Sequence, residues 1–183
     1  HRKVKAGLNI LLTSYNDLYV NDMLLPTGNL REPKSGAKRA DLIIVTKCPE
    51  HIGVDEQEKI KQELNIESHQ ELYFSSISYS QEIFSKDAKM DLEDLKSNPF
   101  TLVTGIANPR PLVDYLNKKG FEFNHEAFKD HHDFSASEIS ELEKKQLIVT
   151  TEKDYMRLRD RLKNNNLYYL PIVSEILNKD KFN

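Results

Sequence analysis

The sequence predicts an α/β fold with a mainly parallel sheet, and three observations carry that prediction. Short apolar runs rich in Ile, Val, Leu and Phe recur along the chain, amphipathic stretches lie between several of them, and cap chemistry marks helix ends. Short apolar runs bounded by polar segments are the pattern of strands buried on both faces. Their alternation with helical patterns calls for the crossover connections of a parallel sheet.

In chain order, strands are expected at Leu8–Leu12, Leu42–Val45, Leu72–Ile77, Thr101–Thr104 and Leu147–Thr150, and helices over Asp55–Leu64, Pro109–Lys119, Ser135–Lys145 and Asp154–Lys163. Asn108 before Pro109 reads as an N-cap followed by a first-turn proline, and Gly120 stands where a left-handed residue ends the helix. Leu112 and Leu116, with Tyr115, then face the core. Ser135-Ala-Ser-Glu138 reads as a capping box, so a helix should start just after Phe134, with Ile139 and Leu142 on its apolar stripe. Residues 78–98 carry more Ser, Lys, Asp and Glu than apolar side chains and keep no period. They read as an exposed connection, with short strand pairing at its start, between an α/β part at 1–77 and a second at 99–183. Asn164–Asn166 reads as a turn.

Composition narrows the function classes. With 183 residues, 38% hydrophobic and 30% charged, the chain can bury one ordinary core and a small second lobe. A formal charge of −3 argues against a dedicated nucleic-acid binder, although Lys34, Lys38 and Arg39 form a local basic patch. The single cysteine, Cys48, leaves no intramolecular disulfide framework and no Cys-rich zinc site, and it reads as a small buried side chain. No apolar run approaches the roughly 20 residues of a membrane span. The chain opens on His1-Arg2-Lys3 rather than Met, which suggests a piece of a longer protein, expected to be soluble by itself.

Four segments are candidates for chemistry. In Leu30-Arg31-Glu32-Pro33, Pro33 biases Glu32 toward extended backbone while Pro26 and Gly28 bracket a turn, so a constrained loop displays Arg31 and Glu32. A guanidinium suits phosphate and a carboxylate suits Mg²⁺, but a surface ion pair fits the same residues. In Ile43–Pro49 a buried strand ends in Thr46 and Lys47, at the carboxyl end where open α/β sheets bind ligands; a solvated strand end is the alternative. Phe128–Phe134 sets Lys129, Asp130, His131, His132 and Asp133 between two aromatics before the capping box, as an acid–base cluster or a solvated loop. His131 and His132, being adjacent, point to opposite sides. In Thr151-Glu152-Lys153-Asp154, Thr151 or Asp154 caps a helix, and Lys153 reaches a phosphate or pairs with a carboxylate. The six glycines form no phosphate-cradling loop, so this polypeptide is not expected to hold a triphosphate well by itself.

The order of the motifs is more specific than any one of them. His1-Arg2, Leu24-Leu25-Pro26-x-Gly28-x-Leu30-Arg31-Glu32-Pro33, Arg39-Ala40-Asp41, Thr104-Gly105-Ile106-Ala107-Asn108-Pro109, Asp130-His131-His132-x-Phe134 and Thr151-Glu152-Lys153-Asp154 follow one another across nearly the whole chain. This resembles the tetraacyldisaccharide 4'-kinase (lipid A 4'-kinase) family, in its C-terminal portion. The resemblance implies a P-loop-kinase-like three-layer fragment whose membrane anchor, Walker A loop and an aspartate partnering the catalytic histidine lie upstream.

By that resemblance the intact enzyme works at the cytoplasmic face of the bacterial inner membrane. It moves the γ-phosphoryl group of ATP, with Mg²⁺, to the 4'-hydroxyl of an acylated diglucosamine glycolipid, and the piece alone is expected to be inactive. The resemblance implies that Glu32 helps hold Mg²⁺ and that Arg31 contacts phosphate. His131 matches the histidine that works with the upstream aspartate in activating the sugar hydroxyl, and Lys153, His132 and Asp130 are expected to support or position. Two other readings remain: a non-catalytic nucleotide- or glycolipid-binding module, and a Rossmann-like sugar-binding or transferase domain in which His131 and Arg31 contact sugar or diphosphate.

Overall fold

The computed structural model describes residues 6–163 and 166–177; the His1-Arg2 pair and Asn164 and Asn165 of the expected turn lie outside the described residues. The chain divides into two compact units, His1–Ser78 with Val173–Asn183, and Tyr79–Ile172. Both are α/β with mostly parallel strand pairing.

The first unit holds a four-stranded sheet in the order β1 (Ile10–Ser14), β2 (Leu42–Cys48), β3 (Glu71–Tyr79) and β10 (Ile172–Ile176), with β1, β2 and β3 mutually parallel. The β2-to-β3 crossover is α1 (Val54–Leu64), whose Ile60 and Leu64 are buried and which ends on Asn65 in the left-handed region. Ile43, Val45, Ile60, Leu64 and Phe74 form its core.

In the second unit the order is β5 (Lys89–Asp91), β4 (Glu82–Phe84), β9 (Leu167–Leu170), β8 (Ile148–Thr151), β6 (Phe100–Thr104), β7 (Phe123–Ala127). β7, β6, β8 and β9 are parallel, and β4 and β5 add an antiparallel edge. The crossovers are α2 (Arg110–Lys118), α3 (Ala136–Glu143) and α4 (Glu152–Leu158). Leu112 and Leu116 of α2 are buried against Leu102 and Val149, and Ile139 and Leu142 of α3 pack with Val103, Ile148 and Phe134.

Local chemistry sets the helix ends. Asn108 Oδ1 accepts from the Arg110 N–H at 3.3 Å, while the cap position itself falls on Pro109, one residue later than expected; Gly120, at φ 79°, follows the helix end. At α3 both halves of the capping box form.

Residues 78–98 are not the exposed connection expected from their composition. They fold as the end of β3, the β4–β5 hairpin and a 3-10 segment at Leu92–Ser97, with Tyr79, Ile83, Leu92 and Leu95 in the core. Four apolar side chains spread thinly through the segment turn into one core, so a polar average conceals a buried face. Asp91 caps the 3-10 segment by accepting from the Glu93 N–H at 2.8 Å.

Candidate functional site

In the second unit the carboxyl ends of three adjacent parallel strands deliver the polar residues. β6 ends at Thr104 and leads to Gly105, β7 leads to Phe128–Asp133, and β8 leads through Thr151 into α4. Ligand sites of open α/β sheets form at this end of the strands.

The centre of the cluster is Asp154, whose side chain is fully buried. Its Oδ2 accepts from the Gly105 N–H and from Thr151 Oγ1, both at 2.8 Å, and its Oδ1 pairs with Arg157 Nη1 at 3.2 Å. Thr151 caps α4 by accepting from the Asp154 N–H at 3.2 Å. The sequence assigned capping to this pair. The structure adds that the carboxylate ties α4 to the loop after β6.

His131 sits beside this centre, exposed, with φ of 58°. Its N–H donates to the Gly105 carbonyl at 3.3 Å, its Nδ1 lies 2.9 Å from Arg157 Nη2, and its Nε2 lies 3.3 Å from Lys153 Nζ and 3.7 Å from Asp130 Oδ2. Lys153 also pairs with Asp130 Oδ1 at 3.1 Å, and its ammonium holds the Asp130 carboxyl below the usual carboxylate range. A left-handed non-glycine residue with this many partners is a backbone outlier over-determined by its surroundings, a pattern that clusters at functional sites.

His132 points elsewhere. Its ring stacks on Phe128, meets Phe134 edge-on, and lies 3.1 Å from both Glu138 oxygens. Glu138 also accepts from the Ser135 N–H at 2.6 Å, and that bond, with the His132 contact, pulls its pKa down to about 2. His132 therefore anchors the segment to α3 while His131 remains presented. Arg161 Nη1 reaches Asp133 at 3.3 Å.

The other expected site residues lie in the first unit. A closed loop precedes Arg31 and Glu32: Leu25 N–H donates to the Leu30 carbonyl and Leu30 N–H to the Met23 carbonyl, both at 3.0 Å, and the Leu25–Pro26 peptide is cis. Asp22 Oδ1 accepts from the N–H groups of Met23 (2.7 Å) and Asn29 (3.1 Å), and these backbone donors, Asn29's foremost, lower its pKa. A Cβ on Gly28 would stand 2.2 Å from the Met23 carbonyl oxygen, so only glycine fits there. Lys34 Nζ closes the loop on the Val20 carbonyl. Glu32 pairs with Arg39, presented by a 3-10 segment at Lys34–Arg39, and Arg31 is exposed.

Thr46 and Lys47 sit in an irregularity of β2 between Val45 and Cys48. Thr46 Oγ1 donates to the Thr13 carbonyl at 3.1 Å, and Lys47 is exposed with φ of 59°. Cys48 is buried, and that burial raises its thiol pKa.

The structure brings His131, Lys153 and Asp130 together, and groups Arg31 with Glu32 in the other unit. Sequence reasoning missed Arg157. The sequence holds a signal for it, because Lys153 and Arg157 are spaced i, i+4 and share a helix face, but nothing local says that the face meets His131. Among the described residues no group of three or more His, Cys, Asp and Glu side chains could hold a metal ion, so Glu32 could offer Mg²⁺ one carboxylate and would depend on ligands from elsewhere.

The sequence model of the tetraacyldisaccharide-1-P 4'-kinase family matches residues 1–183. A tetraacyldisaccharide 4'-kinase of Flavobacterium johnsoniae is 46% identical over 181 residues, covering 97% of this chain and 53% of that protein. Its counterpart in Bacteroides thetaiotaomicron is 40% identical over 209 residues, covering 100% and 55%. The crystal structure of LpxK from Aquifex aeolicus in complex with ATP superposes with a TM-score of 0.69 at 24% identity, covering 100% of this chain and 52% of that one, and shares the fold. The chain thus spans about half the length of these relatives. A match over every residue places this chain in the tetraacyldisaccharide-1-P 4'-kinase family.

Proposed function

We propose that the full-length protein containing this chain is an ATP-dependent kinase of a lipid A precursor. It transfers the γ-phosphoryl group of ATP to the 4'-hydroxyl of an acylated diglucosamine at the inner-membrane surface. Family membership over residues 1–183 is the observation that carries this reading. In the reaction a P–O bond forms to the 4'-oxygen, the bond to the ADP leaving group breaks, and the hydroxyl proton passes to the protein. Phosphoryl transfer gains most of its rate from positioning and charge neutralisation.

In this reading the first unit serves the nucleotide. Arg31 contacts phosphate from a loop fixed by Asp22 and Gly28, and Glu32 supplies one oxygen to Mg²⁺, an ion that neutralises phosphate charge when bound. Thr46 and Lys47, at the carboxyl end of β2, are placed to flank the nucleotide. The second unit places His131 to work with a carboxylate from the other half of the protein in activating the hydroxyl, while Lys153 and Asp130 line the edge of the imidazole. Because the family relatives are about twice as long, the 183-residue chain alone is proposed to be inactive.

The test is phosphate transfer from Mg-ATP to detergent-dispersed acylated diglucosamine by the full-length protein, wild type against His131→Ala. The expected result is transfer by wild type and a loss of about 10²- to 10⁴-fold in kcat for the variant, the usual range for general acid–base groups, with glycolipid binding retained. Binding of nucleotide or glycolipid with no transfer by wild type would overturn the kinase reading in favour of a non-catalytic module.

A further inference from the structure

Arg157 occupies a position that neither capping nor surface pairing explains. Its Nη1 lies 3.2 Å from Oδ1 of the buried Asp154 and 3.4 Å from the Gly105 carbonyl, while Nη2 lies 2.9 Å from His131 Nδ1. One planar group thus bridges the buried centre and the presented imidazole. The side chain is itself only 25% exposed.

The partners decide where the imidazole proton is. A guanidinium has donors and no acceptor, so a contact of 2.9 Å with Nδ1 requires the lone pair on Nδ1. A neutral ring with a bare Nδ1 carries its proton on Nε2. Lys153 Nζ, also a donor only, faces Nε2 at 3.3 Å, and a neutral imidazole cannot offer both cations a lone pair. Two differences favour Arg157: its contact is shorter, and its other nitrogen is held by a fully buried carboxylate, whereas Lys153 is exposed and already committed to the exposed Asp130 at 3.1 Å. Asp130 Oδ2, at 3.7 Å from Nε2, lies beyond hydrogen-bond range and leaves Nε2–H open to an incoming acceptor.

We propose that Arg157 is a positioning residue of the phosphoryl-transfer site: anchored on Asp154, it holds His131 with Nδ1 as acceptor and presents Nε2–H to the reacting groups. This rests on the kinase reading above. His131 then meets a substrate or partner oxygen as a hydrogen-bond donor, and its orientation is set by α4 and the loop after β6 rather than by its own exposed segment. The charge of Arg157 satisfies Asp154, and its second nitrogen sets the histidine.

Arg157→Lys separates these two roles, because lysine keeps a cation for Asp154 but has one nitrogen. In the full-length protein labelled with ¹⁵N-histidine, and with the His131 signals identified by their loss in His131→Ala, wild type is expected to show Nδ1 bare and Nε2 protonated. In Arg157→Lys the Nδ1 resonance is expected to move while those of His125 and His132 stay, and kcat should fall about ten- to a hundredfold, the scale of a lost orienting partner. KM for ATP should stay within about twofold, in keeping with a lost orienting contact rather than lost ground-state binding. Arg157→Met, with the His125 and His132 resonances reporting whether it is folded, should move Nδ1 in the same way.

A proton on Nδ1 in wild type would overturn the proposal. So would an Nδ1 resonance indifferent to both substitutions in a protein that still transfers phosphate, an outcome that leaves the kinase reading intact. If Nδ1 responds as expected but wild type transfers no phosphate, the role in phosphoryl transfer falls together with that reading.

Discussion

The backbone N–H of Gly105 donates to the Asp154 carboxylate at 2.8 Å, joining two residues 49 apart in sequence at the point where β6 and β8 end. Because Asp154 is fully buried and also serves Thr151 and Arg157, this carboxylate links the loop after β6 to α4 and, through Arg157, to His131. Asp154→Ala strands a backbone donor and a guanidinium together. We expect a loss of about 3–5 kcal/mol, the range for removing one member of a hydrogen-bonded buried charge pair, read as a lower denaturant midpoint.

Gly105→Ala tests the same junction from the other side. The new Cβ would stand 3.1 Å from Asp154 Oδ1 and 3.5 Å from the Lys129 carbonyl. Neither neighbour can swing away, since Asp154 is held from three directions and the other is backbone. The expected cost is about 1–3 kcal/mol, as for other overpacked sites, and unfolding measurements that leave stability unchanged would show that the loop yields.

At α3 the capping box makes a prediction with a pH signature. Ser135→Ala should cost about 0.5–2 kcal/mol. The folded pKa of Glu138, about 2, lies below its ordinary value of 4.5, so the unfolded chain takes up the proton first. Its contribution is complete above about pH 4.5 and is lost as pH falls toward 2. Glu138→Gln should flatten the fall in stability across that window, and acid unfolding curves that superpose on wild type would refute it.

The loop before Arg31 offers a test of positioning. A Cβ at Gly28 would overlap the Met23 carbonyl and the Asp22 carboxylate, at 2.2 and 2.4 Å, so Gly28→Ala must open the loop. Stability should fall by about 1–3 kcal/mol. If Arg31 and Glu32 serve the nucleotide, kcat of the full-length protein should drop by up to roughly 10²-fold, the effect of a displacement of about 1 Å in a catalytic arrangement. A loss of stability with unchanged kcat would confine the loop to architecture.

Glu32 distinguishes a metal role from an ion pair. Glu32→Gln in the full-length protein should raise the Mg²⁺ concentration for half-maximal rate by at least about tenfold, the lower end of what a lost orienting partner of a metal ligand does. Arg39→Met should leave that concentration within about threefold, because a surface pair contributes about 1 kcal/mol or less. An unchanged Mg²⁺ requirement in Glu32→Gln would make Glu32 the partner of Arg39 and no more.

Whatever depends on neighbours along the chain is legible in the order of residues. Alternating apolar runs and helical patterns, the Ser135–Glu138 box, the stop at Gly120 and the motif order are local or linear, and they sufficed for the α/β class and the family. Tertiary structure decided the rest. The strands within residues 78–98 are too short to set up a period, and only packing shows that Ile83, Leu92 and Leu95 belong to the core. β7 reads as polar because it is a sheet edge with mostly exposed side chains, and β10 takes its place beside β3 through pairing with no local signature. Arg157 stands 26 residues from His131, so their contact exists only because parallel strands bring their carboxyl ends to one edge. Periodicity and capping act over about one helical turn, whereas a site at the mouth of a parallel sheet is assembled by crossovers, and their geometry is set by the packed core.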